Sequence, residues 1–190
     1  LLASSAASDV YKRQLYANDF LFTSINTSHG LSDNQIRYIL QLPDGRMVFT
    51  TNGNINLYDG IHFSYLHRTD KNVYPLKQYD GFYRIYQSGD SLLWVKDYHK
   101  LMGINLYKEE YIRDLESYFQ NKNIPEPIEN LFADCAGHIW ILTDHKLQEL
   151  QTGIHITLSP NDTRQLQDLN TENDSLYLFY NCLLYTSPSP

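Results

Sequence analysis

The chain has 190 residues, a formal charge of −7, 42% apolar and 19% charged residues, and is aromatic-rich, with 16 Tyr, 8 Phe and 2 Trp. That balance belongs to a globular chain, not a disordered one. Its longest basic run is Lys12-Arg13, so it lacks the concentrated positive face that nucleic acid requires, and apolar runs of four or five residues are too short for a membrane-spanning helix.

Residues 1–14 (LLASSAASDVYKRQ) share no pattern with the rest of the chain, and without a basic start or a long apolar centre they do not read as a signal peptide. They and residues 182–190 (CLLYTSPSP) resemble translated sequencing-adapter read-through. On that reading the natural stretch is 15–181, cut at both ends, with Cys135 its one cysteine. One cysteine supports neither a disulfide framework nor a cysteine-based zinc site.

The first repeating unit begins near residue 36. Ile36 to Leu42 reads as a strand, Pro43-Asp44-Gly45 as a turn and Arg46 to Thr51 as the next strand. Asn52-Gly53-Asn54 turns into Ile55 to Tyr58, and Asp59-Gly60 into His62 to Leu66. Asn-Gly and Asp-Gly supply the positive φ that tight hairpins demand, so the unit is a four-stranded antiparallel meander. A second unit repeats the pattern with Tyr83 to Gln87, Leu92 to Val95 and Met102 to Leu106. A third has Ile128 to Asp134, Ile139 to Leu142 and Leu147 to Leu150. The central positions Val48, Trp94 and Trp140 are each 46 residues apart, and a weaker fourth copy puts Tyr177 37 residues after Trp140. Four short strands at a period in the forties is the pattern of a β-propeller blade, so the fold expected is all-β, a partial propeller of three to four blades. The Trp, Val and Ile centres are read as the core between blades. About 167 residues at this period leave a blade face and sheet edges bare, and poor solubility is expected of the piece alone.

One segment departs from the period. Tyr111, Ile112, Leu115, Tyr118 and Phe119 fall at helical spacing, which predicts an inserted amphipathic helix over 108–120, with Glu109-Glu110 in its first turn.

Gly30-Leu31-Ser32-Asp33-Asn34-Gln35-Ile36, Asp44-Gly45, Thr51-Asn52-Gly53 and Leu57-Tyr58-Asp59-Gly60 together resemble the two-component regulator propeller repeat, and Asp134 to Thr143 is similar to its central part. The resemblance covers most of residues 20–181, with Asp19-Phe20 through Ser32 similar to a first repeat. Val48-Phe49 stand where Trp-Ile is usual, the second copy lacks the Asp-x-x-Gly turn, and the fourth is fragmentary. The resemblance implies the periplasmic sensor region of a hybrid two-component protein, a glycan-derived ligand, and a membrane helix and histidine kinase beyond this stretch. It implies no cofactor.

Catalytic signals are absent from the sequence. His29, His62, His67, His99, His138, His145 and His155 are scattered without metal-ligand spacing, and no nucleophile elbow or phosphate loop occurs. Asp33, Asp44, Asp59 and Asp134 fall in turn signals, where aspartate bonds its own backbone. Asp134-x-x-Gly137-x-x-Trp140 is also similar to the sialidase Asp-box, which has one residue fewer between Asp and Gly and is itself a structural turn. Three Asn-x-Ser/Thr triplets, at Asn26, Asn161 and Asn173, carry no weight at this length. No catalytic or metal residue is expected, and the ligand-contacting residues are not legible. A carbohydrate-active propeller enzyme and a non-catalytic interaction scaffold remain as alternatives to the sensor.

Overall fold

The computed structural model describes residues 23–181 apart from 53, 80, 90, 125–126, 160–161, 163–165 and 174. Both terminal segments assigned to adapter sequence lie outside the described residues, as do Asp19-Phe20, Gly53, Asp90, Asn161, Thr163 and Asp174.

The first sheet is the meander β1 (Tyr38–Gln41), β2 (Met47–Thr50), β3 (Asn54–Tyr58) and β4 (Phe63–His67). Its register sets Val48 opposite both Leu40 and Leu57, so these three side chains share one face. The last turn is closed by Asp59, whose Oδ1 accepts from the Ile61 and His62 amides at 2.7 and 2.6 Å. Gly60 supplies the φ of +103° that the turn needs.

The second sheet adds two short strands to one edge of its expected meander. β5 (Tyr74–Pro75) and β9 (Glu110–Tyr111) both pair with β8 (Lys100–Asn105), one at each end. β8 is followed across the sheet by β7 (Leu92–Asp97) and β6 (Arg84–Ser88). The third sheet runs β10 (Ile128–Ala133), β11 (Ile139–Thr143), β12 (Lys146–Glu149) and β13 (His155–Thr157). The fourth is the hairpin β14 (Leu166–Glu172) and β15 (Ser175–Tyr180).

Between consecutive sheets lie three apolar cores, which makes the chain an all-β partial propeller. Val48, Leu57, Leu93, Val95 and Ile104 fill the first seam. Trp94, Leu101, Leu131, Ile139 and Ile141 fill the second, and Phe132, Trp140, Leu142, Leu166 and Leu169 the third. Because strand side chains alternate, Leu93 and Val95 face the sheet before their own while Trp94 faces the sheet after it. Val48, Trp94 and Trp140 therefore do the same job 46 residues apart, each buried against the next blade. On β15 the matching face carries Tyr177 and Phe179, 50% and 53% exposed, while Leu176 and Leu178 pack inward on the third core.

The inserted helix is shorter than its spacing suggests. α1 covers only Leu115–Gln120, and Asp114 caps it by accepting from the Ser117 amide at 2.9 Å. Glu109 turns the chain with φ +51°, after which Glu110 and Tyr111 are extended and the Ile112 amide donates to the Gly103 carbonyl at 2.8 Å. Glu109 and Glu110 are thus a turn and a strand residue, not a first helical turn. Tyr111 buries toward the first seam and Ile112 toward the second. Two opposite faces of an extended pair combine with three helical residues to give a helix-like spacing. From α1, Phe119 stacks on Trp94 with ring centroids 5.7 Å apart. Gly103 lies opposite Trp94, and a Cβ there would meet Ile112 Cδ1 at 2.9 Å and the indole at 3.1 Å.

Candidate functional site

Polar chemistry concentrates where β7 ends. Alternation puts Lys96 on the Trp94 face, inside the second seam, and Asp97 on the opposite face, toward the first. In the neighbouring repeats Thr50 and Leu142 occupy the position of Lys96, so the lysine is particular to the second blade.

Lys96 is 2% exposed. Its Nζ donates to Asn130 Oδ1 at 2.9 Å and to the Leu131 carbonyl at 2.5 Å, both on β10. The ring of Tyr79 lies 4.0 Å from the nitrogen, with Phe132 and Tyr86 at 5.2 and 5.3 Å. Burial, aided by the Arg84 charge and opposed by Asp168, pushes the amine down to about 7. The same burial pushes the Tyr86 hydroxyl up to about 12.

On the other face, Asp97 Oδ2 accepts from Arg68 Nη1 at 3.1 Å across the first seam. Its Oδ1 is buried with no hydrogen-bond partner among the described residues. Around this pair lies a narrow polar cleft lined by Arg37, Asn52, Asn54, Tyr83 and Tyr111. Arg37 Nη2 donates to Asn52 Oδ1 at 3.3 Å, and the ring of His67 shares a hydrogen with Asn54 at 2.7 Å. Burial raises both tyrosines, Tyr111 to about 12, so they stay hydroxyl donors at any ordinary pH.

The four turn aspartates behave as turn residues. Asp33 accepts from the Gln35 amide at 2.8 Å and Asp44 from the Arg46 amide at 3.0 Å. Arg46 continues across the first seam to Glu109 at 2.8 Å. Asp134 is the most engaged: its Oδ1 accepts from the Ala136 and His138 amides at 3.0 and 2.9 Å, and its Oδ2 from the Thr171 hydroxyl of β14. Burial pushes this carboxyl up, but the hydrogen bonds from Thr171 and His138 outweigh it and hold it below its ordinary range.

The histidines are not brought together. His62 and His145 pair with neighbouring Asp59 and Asp144, His138 with Asp134, and His29 with Asn26. His155 Nδ1 lies 3.3 Å from the Gly153 carbonyl, and His99 follows β7 in a turn. Among the described residues no group of three His, Cys, Asp or Glu side chains is placed to hold a metal ion. Among them, too, no helix is long and apolar enough to cross a membrane.

Sequence reasoning misses Lys96 and the Arg68–Asp97 pair. The available signal is a lysine two residues from Trp94, on the same face of a strand otherwise assigned to the core.

No protein-family model matches the chain, and no curated protein matches it. Among solved structures it is similar to the extracellular domain of a hybrid two component system from B. thetaiotaomicron, at 16% identity over 83% of this chain and 24% of that one, with a TM-score of 0.48. It is similar also to the extracellular domain of a one component system from the same organism, at 17% identity over 79% of this chain and 22% of that one, TM-score 0.43. Streptogramin B lyase is a third, at 15% identity over 80% of this chain and 50% of that one, TM-score 0.45. The chain spans about a quarter of the first two structures and half of the third.

Proposed function

We propose that residues 15–181 are part of the extracytoplasmic, ligand-sensing propeller of a hybrid two-component signalling protein, and that residues 1–14 and 182–190 are adapter-derived. The protein would sit in the inner membrane with this part in the periplasm, and the ligand would be an oligosaccharide released from a larger glycan. In this stretch the role is binding and transmission, with catalysis left to a kinase elsewhere in the parent chain.

The observation that carries the reading is the use made of the repeat's signature residues. Leu31 of Gly30-Leu31-Ser32 is 3% exposed. The Ser32 amide donates to Asn56 Oδ1 at 3.0 Å, its hydroxyl meets the Thr51 hydroxyl at 2.9 Å, and Asn56 Nδ2 donates to the Phe49 carbonyl at 3.0 Å. The Gly-Leu-Ser entry, the Thr51 position and the third strand are thereby tied into one blade, which is the reason a repeat would hold those residue types at that spacing. Asp134 does the corresponding work for the third blade by reaching Thr171 of the fourth. The sensor and glycan assignments rest on the repeat resemblance.

The test is calorimetric titration of the parent's complete extracytoplasmic region with a panel of oligosaccharides from plant and host glycans. Saturable binding of one glycan class is expected. Binding confined to peptides or to small non-carbohydrate ligands would overturn the glycan assignment.

A further inference from the structure

Lys96 is a cation held inside a seam between two blades by neutral groups. Its acceptors are an amide oxygen and a backbone carbonyl, and its remaining surroundings are the rings of Tyr79, Tyr86 and Phe132. The ion pairs formed among the described residues do not include it. The charged and titratable groups around it come from four elements. Tyr79 lies in the segment before β6, and Arg84 and Tyr86 lie on β6, where Arg84 opposes a second positive charge. The acid of β10, Glu129, pairs instead with Lys77 at 3.7 Å. Asp168 of β14 favours the charge, but its Oδ1 accepts from the Leu169 amide.

A buried ammonium whose contacts are neutral loses its hydration without a full Coulombic return. A neutral amine in the same place keeps two N–H donors for its two acceptors and loses little. Opening the seam exposes the nitrogen to water and restores the charged form. Protonation and seam opening therefore favour each other.

We propose that Lys96 makes the junction of the second and third blades a proton-sensitive seam, tight when the amine is neutral and loosened when it is protonated. The direction is opposite to that of an ion-pair latch, because among the described residues the lysine has no anion paired with it. With the amine near 7 in the closed seam and near 10.4 when exposed, closure gains about tenfold between pH 6 and pH 8. A seam poised in this way gives a propeller a local opening mode with a position in the ring, independent of what ligand it takes and of whether it is a sensor.

Hydrogen exchange read by mass spectrometry on the complete propeller that contains this stretch tests this, with rates corrected for the intrinsic pH dependence. Protection of peptides covering Ile128–Ala133 is expected to rise about tenfold from pH 6 to pH 8, while peptides covering Met47–Tyr58 change little. Lys96→Met removes the rise. Asn130→Asp supplies an anion beside the amine and shrinks the rise at least threefold. A wild-type rise below twofold, or an equal rise in Lys96→Met, overturns the proposal. Should Lys96→Met fail to fold, an undiminished rise in Asn130→Asp overturns it as well.

Discussion

Lys96 and Asp97 are consecutive residues of β7 that fasten their blade to two different neighbours. Lys96 Nζ reaches the Leu131 carbonyl of the third blade at 2.5 Å, and Asp97 Oδ2 accepts from Arg68, just beyond the last strand of the first, at 3.1 Å. Strand alternation alone allows this, since adjacent side chains leave a sheet on opposite sides. The second blade is thus the polar as well as the apolar link in the row.

The Arg68 contact is expected to matter more than surface ion pairs do. In Arg68→Ala neither carboxylate oxygen of Asp97 would keep a bond among the described residues, because Oδ1 already lacks one. A loss of about 1–3 kcal/mol in urea unfolding is predicted, with Asp97→Asn recovering part of it in the double variant. Glu109→Ala, which removes one of the two partly exposed carboxylates on Arg46 and leaves Asp44 in place, should cost under about 1 kcal/mol.

Overall stability should rise with pH above neutrality. The Lys96 amine titrates at about 7 in the folded chain and near 10.4 unfolded, so between those values the unfolded chain holds the extra proton. Unfolding then becomes harder as pH increases, by up to ~1.4 kcal/mol per unit from this group, while below pH 7 the burial cost is fully present. Urea midpoints at pH 6, 7, 8 and 9 should climb in the wild-type chain relative to Lys96→Met.

Trp94 and Gly103 form a matched pair across β7 and β8. Gly103→Ala pushes a methyl into Ile112 and the indole, and about 1–3 kcal/mol of destabilisation is expected. Trp94→Ala empties the space beneath Phe119 and should cost roughly 3–5 kcal/mol. The double variant should fall short of the sum, because the new methyl gains room where the indole was. Chemical denaturation of the four chains measures the coupling.

Asp134 should make the third blade acid-sensitive. Its carboxyl lies below its ordinary value in the folded chain, so its stabilisation is present above the ordinary carboxylate range and is lost as pH falls through the folded value. Asp134→Asn is predicted to be less stable than wild type at pH 6 by about 1–2 kcal/mol. The two unfolding curves should converge toward pH 2, followed by far-UV circular dichroism.

Much of the propeller is legible in the sequence because each central strand announces itself twice, by an apolar run and by an aspartate or glycine turn beside it. Val48, Trp94 and Trp140 recur at a fixed interval since each plugs the same kind of seam. The strands that escape notice are short or polar. Tyr74–Pro75 and Glu110–Tyr111 are two residues each and exist only because β8 offers both ends of its edge. His155–Thr157 and Leu166–Glu172 carry too little apolar alternation to stand out. The helical spacing overextends α1 because Tyr111 and Ile112 are apolar for two different seams. Lys96 is easy to pass over because a charge at a strand end usually reaches water; only its partners on β10, far along the chain, keep it inside.

The central claim, that these blades belong to a membrane-bound sensor, is tested most directly by long-read sequencing of the parent gene across both ends of this stretch. An open reading frame is expected that departs from the present sequence near residues 14 and 182, and continues through more blades into a membrane span and a histidine kinase. A frame that closes after four blades without a membrane span, or runs into a soluble catalytic domain, would contradict it.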